Sequence, residues 1–258
     1  MDPDQVHALL KRSGSRRNAV GLARFGIAAG QAYGVTMVQL QGLKKRIGKD
    51  HALAIALCDS GWYEARLLAA LVGDPERLTR RQMNAWAGGF ENWADCDTAC
   101  FHLFDRSPYA WEKARQWAGS RHEFVKRGGF ALMASLALHD KAAPDANFLA
   151  FLPLVELGAR DERNFVRKGV SWALRGIGRR NQALHDKFAI SGGIPNVLLS
   201  YGKPEEVREF CRRVIREVAA DGGYIMDSGA IMQDDTSADN LRALTGVCRE
   251  EGVYAPGS

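Results

Sequence analysis

The sequence predicts a mainly α protein: an α–α superhelical solenoid of two-helix repeats, followed by a small C-terminal α/β fragment. Three observations carry this expectation. Apolar residues recur at helical spacing from residue 35 to about 180, in segments such as 35–48, 62–72 and 123–138. The block Phe124-Val125-Lys126-Arg127-Gly128, with Ala131-Leu132 beyond it, returns 41 residues later as Phe165-Val166-Arg167-Lys168-Gly169, with Ala173-Leu174. Near residue 185 the pattern then changes to short apolar runs around glycine pairs. The expected division is 1–185 and 186–258.

In the first part, breaks fall at Gly61, Gly73-Asp74-Pro75, Ser107-Pro108, Pro144-Asp145 and Gly158, where turn residues interrupt the helical period. Ser107-Pro108 reads as an N-cap followed by Pro at the first helical position. Nothing before residue 188 alternates with the period of two that a half-buried strand needs. A repeat near 40 residues with two helices per unit is the signature of HEAT-like repeats, which stack into a curved array with a concave binding face. In the second part, Phe188–Ser191 and Asn196–Ser200 read as short strands around Gly192-Gly193. Pro204–Ala220 reads as an amphipathic helix, Gly222–Met226 as a strand and 237–251 as a final helix. That is β-α-β-α order, as in a parallel α/β unit.

Charge divides the chain at the same place. Residues 191–258 hold 7 Lys/Arg and 11 Asp/Glu, leaving 28 basic and 19 acidic residues before them, where all six Trp also lie. A basic helical array invites a polyanionic partner, because clustered Lys and Arg release counterions from nucleic acid; an ordinary basic domain is the alternative. No apolar run approaches a membrane span, and the start lacks the pattern of a secretory signal. Five scattered cysteines argue against a disulfide scaffold and for a reducing compartment, so a cytoplasmic protein is expected.

Residues ~20–185 resemble the AlkD-type DNA alkylation-repair glycosylases, which are HEAT-like repeat proteins. The resemblance rests on Leu22-Ala23-Arg24-Phe25, Tyr33-Gly34-Val35, Glu64-Ala65-Arg66, Asn92-Trp93-Ala94-Asp95-Cys96-Asp97, Val125-Lys126-Arg127 and Ser171-Trp172-Ala173-Leu174-Arg175. That family usually carries Tyr at the place of Phe25, and often a second Trp at the place of Asn92. The last ~70 residues resemble the C-terminal end of the uroporphyrinogen decarboxylase and corrinoid methyltransferase family. There the carrying motifs are Ile190-Ser191-Gly192-Gly193-Ile194-Pro195, Gly202-Lys203-Pro204-Glu205-Glu206-Val207, Gly222-Gly223-Tyr224-Ile225-Met226 and Asp234-Asp235-Thr236-Ser237-Ala238-Asp239-Asn240-Leu241. About a quarter of that family's (β/α)8 barrel is present, and Ala230 stands where its zinc-dependent members place a Cys.

The chemistry follows from side-chain types. Trp93 and Asp97 are four apart and share a helix face. A 3- or 7-alkylated purine is cationic and leaves readily, while the sugar it leaves gains oxocarbenium character. A carboxylate at the sugar stabilises that cation and places a water, and indole faces favour positive charge. Asp97, Trp93 and Trp172 are thus the candidate catalytic residues. Arg127, Lys126, Arg167, Lys168, Arg175 and Phe25 are the candidate DNA contacts, with an interhelix ion pair as the other reading of the two arginines on the repeat. The resemblance implies action without a snug base pocket, where most glycosylases extrude the base. The expected partner is duplex DNA with alkylated bases, the expected state a monomer, and no metal or organic cofactor is needed. Cys96, Cys100 and His102 lack a fourth ligand for structural zinc, Asp95 reads as a solvated carboxylate, and Trp62, Trp86, Trp111 and Trp117 as structural. Two rival readings remain: a non-catalytic repeat protein for damaged or branched DNA, and an incomplete decarboxylase or methyltransferase relative.

Overall fold

A computed structural model describes residues 1–181, 184, 190–218, 224–228 and 234–252. The chain divides into two compact units, Met1–Leu184 and His185–Ser258. The expected boundary at 185/186 falls outside the described residues, as do Phe188-Ala189, Gly222-Gly223 and Ala230.

The first unit is helical throughout its described length, as expected. Its helices are α1 (Pro3–Ser13), α2 (Arg16–Gly21), α3 (Met37–Ile47), α4 (His51–Asp59), α5 (Tyr63–Val72), α6 (Arg80–Gly88), α7 (Trp93–His102), α8 (Ala110–Ala118), α9 (Glu123–His139), α10 (Asp145–Leu149), α11 (Leu152–Ala159) and α12 (Asn164–Gly178). Four of them open on a capping box, in which a side chain at the N-cap and one three residues on satisfy each other's backbone amides. The pairs are Asp2 with Gln5, Thr36 with Gln39, Thr79 with Gln82 and Asn92 with Asp95. Ser107-Pro108 sits slightly ahead of its helix: the Ser107 hydroxyl accepts from the Tyr109 amide at 3.0 Å, and α8 begins at Ala110.

Helix α5 packs on α7, α7 on α9 and α9 on α12, while α4, α8 and α11 pack behind α5, α9 and α12. This is the two-layer order of a HEAT-like array. Close approach of α8 to α9 depends on Gly129, where an added Cβ would lie 2.4 Å from the Ala118 nitrogen. The motif residues Tyr33-Gly34-Val35 form a loop held by the fully buried Glu64 of α5. Its carboxylate accepts the amides of Tyr33 (2.8 Å), Gly34 (2.6 Å) and Val35 (3.1 Å), and Gly34 takes the left-handed conformation that this turn requires (φ 78°).

The second unit holds a parallel pair, β1 (Ile190–Ile194) and β2 (Tyr224–Ser228), with Ile190 opposite Tyr224 and Ile194 opposite Ser228. With them are α13 (Asn196–Tyr201), α14 (Pro204–Val218) and α15 (Ala238–Glu251). The expected strand at Asn196–Ser200 is therefore a helix, and the expected break Gly192-Gly193 lies inside β1. A short apolar run does not declare its period. Here Pro195 caps it, its carbonyl accepting the amides of Leu198 and Leu199. Leu199 then enters the core with Ile194, Val207, Cys211, Ala243 and Val247, while Val197 and Tyr201, one turn apart, face solvent.

Candidate active site and nucleic-acid interface

The site starts from the way α7 begins. Asn92 is buried and its side-chain oxygen accepts the amides of Ala94 and Asp95 at 3.0 and 3.1 Å. Asp95 returns the bond to the Asn92 amide at 3.2 Å and also accepts the Glu91 amide at 3.1 Å. Asp95 is thus a buried capping residue rather than the solvated carboxylate expected; burial pushes its pKa up to about 6 against the pull of the Glu91, Asn92 and Cys96 amides and Arg66. The Asn-x-x-Asp spacing carries this signal, which the sequence reading passed over. Arg66, for its part, donates to the Gly89 carbonyl and pairs with Glu91 and Asp95, so it stays within the helical stack.

This cap fixes Trp93 as the first residue of α7, and its indole N–H donates to the Phe25 carbonyl at 2.8 Å. The bond ties the N-terminal 3-10 turn Leu22–Phe25 to α7 and leaves the Phe25 ring 68% exposed. One turn on, Asp97 keeps 19% of its side chain exposed and is gripped by Arg127 of α9: Nε donates to Oδ1 at 2.8 Å and Nη2 to Oδ2 at 2.7 Å. The remaining arm of the same fork, Nη1, donates to the Phe165 carbonyl of α12 at 2.7 Å. Burial raises the Asp97 pKa, and the Arg127 hydrogen bonds and charge restrain the rise.

Helix α12 supplies the opposite wall. Lys168, Ser171, Trp172 and Arg175 lie at three- and four-residue spacing and so share a face. Together with Trp93, Asp97 and Arg127 they line an open cleft of 350 Å³. Trp93, Asp97, Trp172, Arg127, Lys168 and Arg175 are therefore brought to one place. Lys126 and Arg167 do not line it. Lys126 pairs with Asp161 at 2.8 Å, while Arg167 is exposed on α12. Arg127 and Lys126, expected as phosphate contacts, are engaged by carboxylates in this structure, because each faces an acidic residue of an adjoining segment.

Cys96 and Cys100 are buried and turned toward α9, their thiols donating to the Phe124 and Gly128 carbonyls. Trp86 and Trp117 are core residues; Trp62 stacks on Tyr33 and Trp111 on Phe151. Among the described residues no group of three or more His, Cys, Asp or Glu is placed to hold a metal ion, and no helix is long and apolar enough to cross a membrane.

A model of the DNA alkylation repair enzyme family matches residues 6–213. The chain belongs to that family. The match runs through the helical unit and on into α14. An uncharacterized protein of Listeria innocua is 23% identical over 158 residues, covering 60% of this chain and 68% of its own. A uroporphyrinogen decarboxylase of Magnetococcus marinus is 31% identical over 85 residues; these are 33% of this chain but only 23% of the decarboxylase. In fold, the chain matches a solved structure with a TM-score of 0.64 and 17% identity, over 97% of this chain and 96% of the other. That structure is described as a new family of proteins related to the HEAT-like repeat DNA glycosylases, with affinity for branched DNA structures.

Proposed function

We propose that this member of the DNA alkylation repair enzyme family hydrolyses the N-glycosidic bond of cationic 3- or 7-alkylpurines in duplex DNA. The observation that carries the reading is the Asp97 carboxylate, held by the Arg127 fork at the floor of a cleft lined by Trp93 and Trp172. Alkylation makes the purine a cationic leaving group, so no general acid is required. As the C1′–N bond breaks, its electron pair leaves with the base, and positive charge develops on the sugar. Asp97 faces that charge and orients the attacking water, which bonds to C1′ through oxygen and releases one proton to solvent to become the C1′ hydroxyl, while the base leaves neutral. The indoles supply negative potential on either side. The cleft lies open, and in keeping with the family resemblance the lesion is read through sugar and backbone rather than by extruding the base into an enclosed pocket. Lys168, Arg175 and Arg167 position phosphates, and Phe25 rests against the duplex at the N-terminal turn.

Incubation with N-methylated duplex DNA tests this. Release of 7-methylguanine and 3-methyladenine by the native protein is expected to fall at least about 100-fold in Asp97→Asn, with DNA affinity kept. Equal release by the two proteins would remove Asp97 from the reaction.

The second reading is DNA binding without excision. It is favoured by the Arg127 fork, which occupies one lone-pair site on each Asp97 oxygen, and by the branched-DNA affinity described for the structural neighbour. It predicts salt-sensitive binding and no released base from any substrate. Decarboxylase or methyltransferase activity has no such support, since the similar segment spans under a quarter of that enzyme.

A further inference from the structure

A second surface adjoins the Asp97 cleft and shares only Trp172 with the reaction just described. It is built around Phe101, one turn beyond Asp97 on α7 and half-buried. Its ring centre lies 4.5 Å from that of His139 at 66°, 5.3 Å from that of His102 at 81°, and 6.5 Å from that of the cleft residue Trp172 at 22°. Four rings from α7, α9 and α12 thus form one partly exposed patch continuous with the cleft wall.

Two details distinguish this patch from ordinary core packing. His139 keeps 27% of its side chain exposed, and its ring is fixed from below: Nδ1 is bonded to Asp105 Oδ2, and the Asp105 side chain is 0% exposed. This sets the tautomer and leaves the outer nitrogen, Nε2, without a partner among the described residues. Cations stand along part of the border of the patch. Arg106 donates to the His102 carbonyl at 3.0 Å, and burial, with the charges of Lys44 and Arg106 beside it, holds the His102 pKa down. Lys44, Arg106, Lys168 and Arg175 have no carboxylate partner among the described residues. On the side of Arg106 and His139 the patch borders a cleft lined also by Glu76, Asp105 and Asp140. Of these, Asp105 is bonded to His139 and Asp140 to the Trp111 indole and the Ala143 amide, while the exposed Glu76 has no ion-pair partner among the described residues. The cationic side is that of Lys168 and Arg175.

Flat rings edged with unpaired cations suit a ligand with π-faces on a polyanionic backbone. Paired bases hide their faces in the stack, whereas an unpaired strand presents them. We propose that Phe101, His102, His139 and Trp172 form a stacking platform for the bases of an unpaired DNA strand that joins the duplex beside the Asp97 cleft. The platform rests on the reading of this face as the DNA-binding face, and not on excision. It makes the preferred ligand a duplex with a single-stranded branch or tail.

Fluorescence anisotropy with a labelled duplex tests the proposal, comparing blunt DNA, the same duplex with a short single-stranded tail, and one whose tail consists of abasic sugars. The native protein is expected to bind the tailed duplex about tenfold more tightly than the blunt one, the worth of one base on one ring, and to lose that advantage with the abasic tail. Phe101→Leu, which keeps apolar volume, should abolish the advantage while leaving blunt-duplex affinity unchanged, and Phe101→Trp should retain it. His102→Leu, which removes a second ring of the patch, should reduce it and serves where Phe101→Leu unfolds. An abasic tail that binds as well as the normal one, an advantage that survives Phe101→Leu, or equal losses on both duplexes would overturn the platform. Asp97→Asn is expected to keep the tail advantage. Absence of purine release with that advantage intact would sink excision alone.

Discussion

The block Phe-Val-basic-basic-Gly occurs on α9 and again on α12, beginning at the second residue of each helix, yet the two copies meet different surroundings. On α9 both basic residues are neutralised: Arg127 turns inward onto Asp97, and Lys126 pairs with Asp161. On α12 their counterparts Lys168 and Arg167 are exposed, and Lys168 lines the cleft. The difference follows from position in the array. Helix α9 is flanked by α7 and α12, so its second turn faces carboxylates brought by neighbouring segments. A repeated motif therefore meets two environments: one copy grips the carboxylate, and the other leaves its charges exposed.

The largest effect separating the copies is expected at Arg127. Arg127→Gln leaves Asp97 mostly buried with no countercharge, which costs about 3 kcal/mol and is read as a lower urea midpoint. Lys168→Gln should stay within about 0.5 kcal/mol of the native protein in the same titration. Activity adds a pH signature. If Asp97 must be ionised, purine release falls as pH drops through its pKa, which burial places above the ordinary carboxylate value. Arg127 lowers that pKa, so its removal moves the acid limb of the rate profile to higher pH. An unmoved limb would mean that another group titrates.

Next comes the salt dependence of DNA binding. Each phosphate neutralised by a free cation adds about 0.9 to the slope of log affinity against log salt. Lys168→Gln and Arg167→Gln should each lower the slope by about that amount and weaken all duplex sequences alike. A slope unchanged by both would place the DNA elsewhere than along α12.

Part of this contrast was legible in the sequence. Helical period and the 41-residue return gave the array, and the four-residue spacing of Trp93 and Asp97 gave the heart of the cleft. The fates of Arg127 and Lys126 were not legible, because their partners lie 30 and 35 residues away and local spacing is silent about them. The role of Asp95 was legible in principle, since Asn92-Trp93-Ala94-Asp95 has capping-box spacing, but a carboxylate in a helix's first turn is as often solvated as buried, and spacing alone does not separate the two. The error at Asn196–Ser200 has a different origin. Five residues with a central Val-Leu-Leu suit a strand or a helix equally, and the deciding facts were Pro195 as cap and the burial of Leu199, with Leu198 half-buried beside it, between the exposed Val197 and Tyr201.

The smallest expected effect is at Lys126, and it tests whether pairing silences a charge. Asp161 does not depend on Lys126 alone: Arg163 grips it with Nε at 2.9 Å and Nη2 at 2.6 Å, and the Arg163 amide bonds it at 3.1 Å. These cations hold its carboxyl well below the usual range, with Arg163 the larger cause. Lys126→Gln therefore leaves a satisfied carboxylate and should cost less than about 1 kcal/mol. Its salt slope should match the native one, because a lysine already paired to Asp161 would have to break that pair to meet a phosphate. A slope lowered as much as in Lys168→Gln would show that DNA displaces Asp161, and would erase the distinction between the two copies at this position.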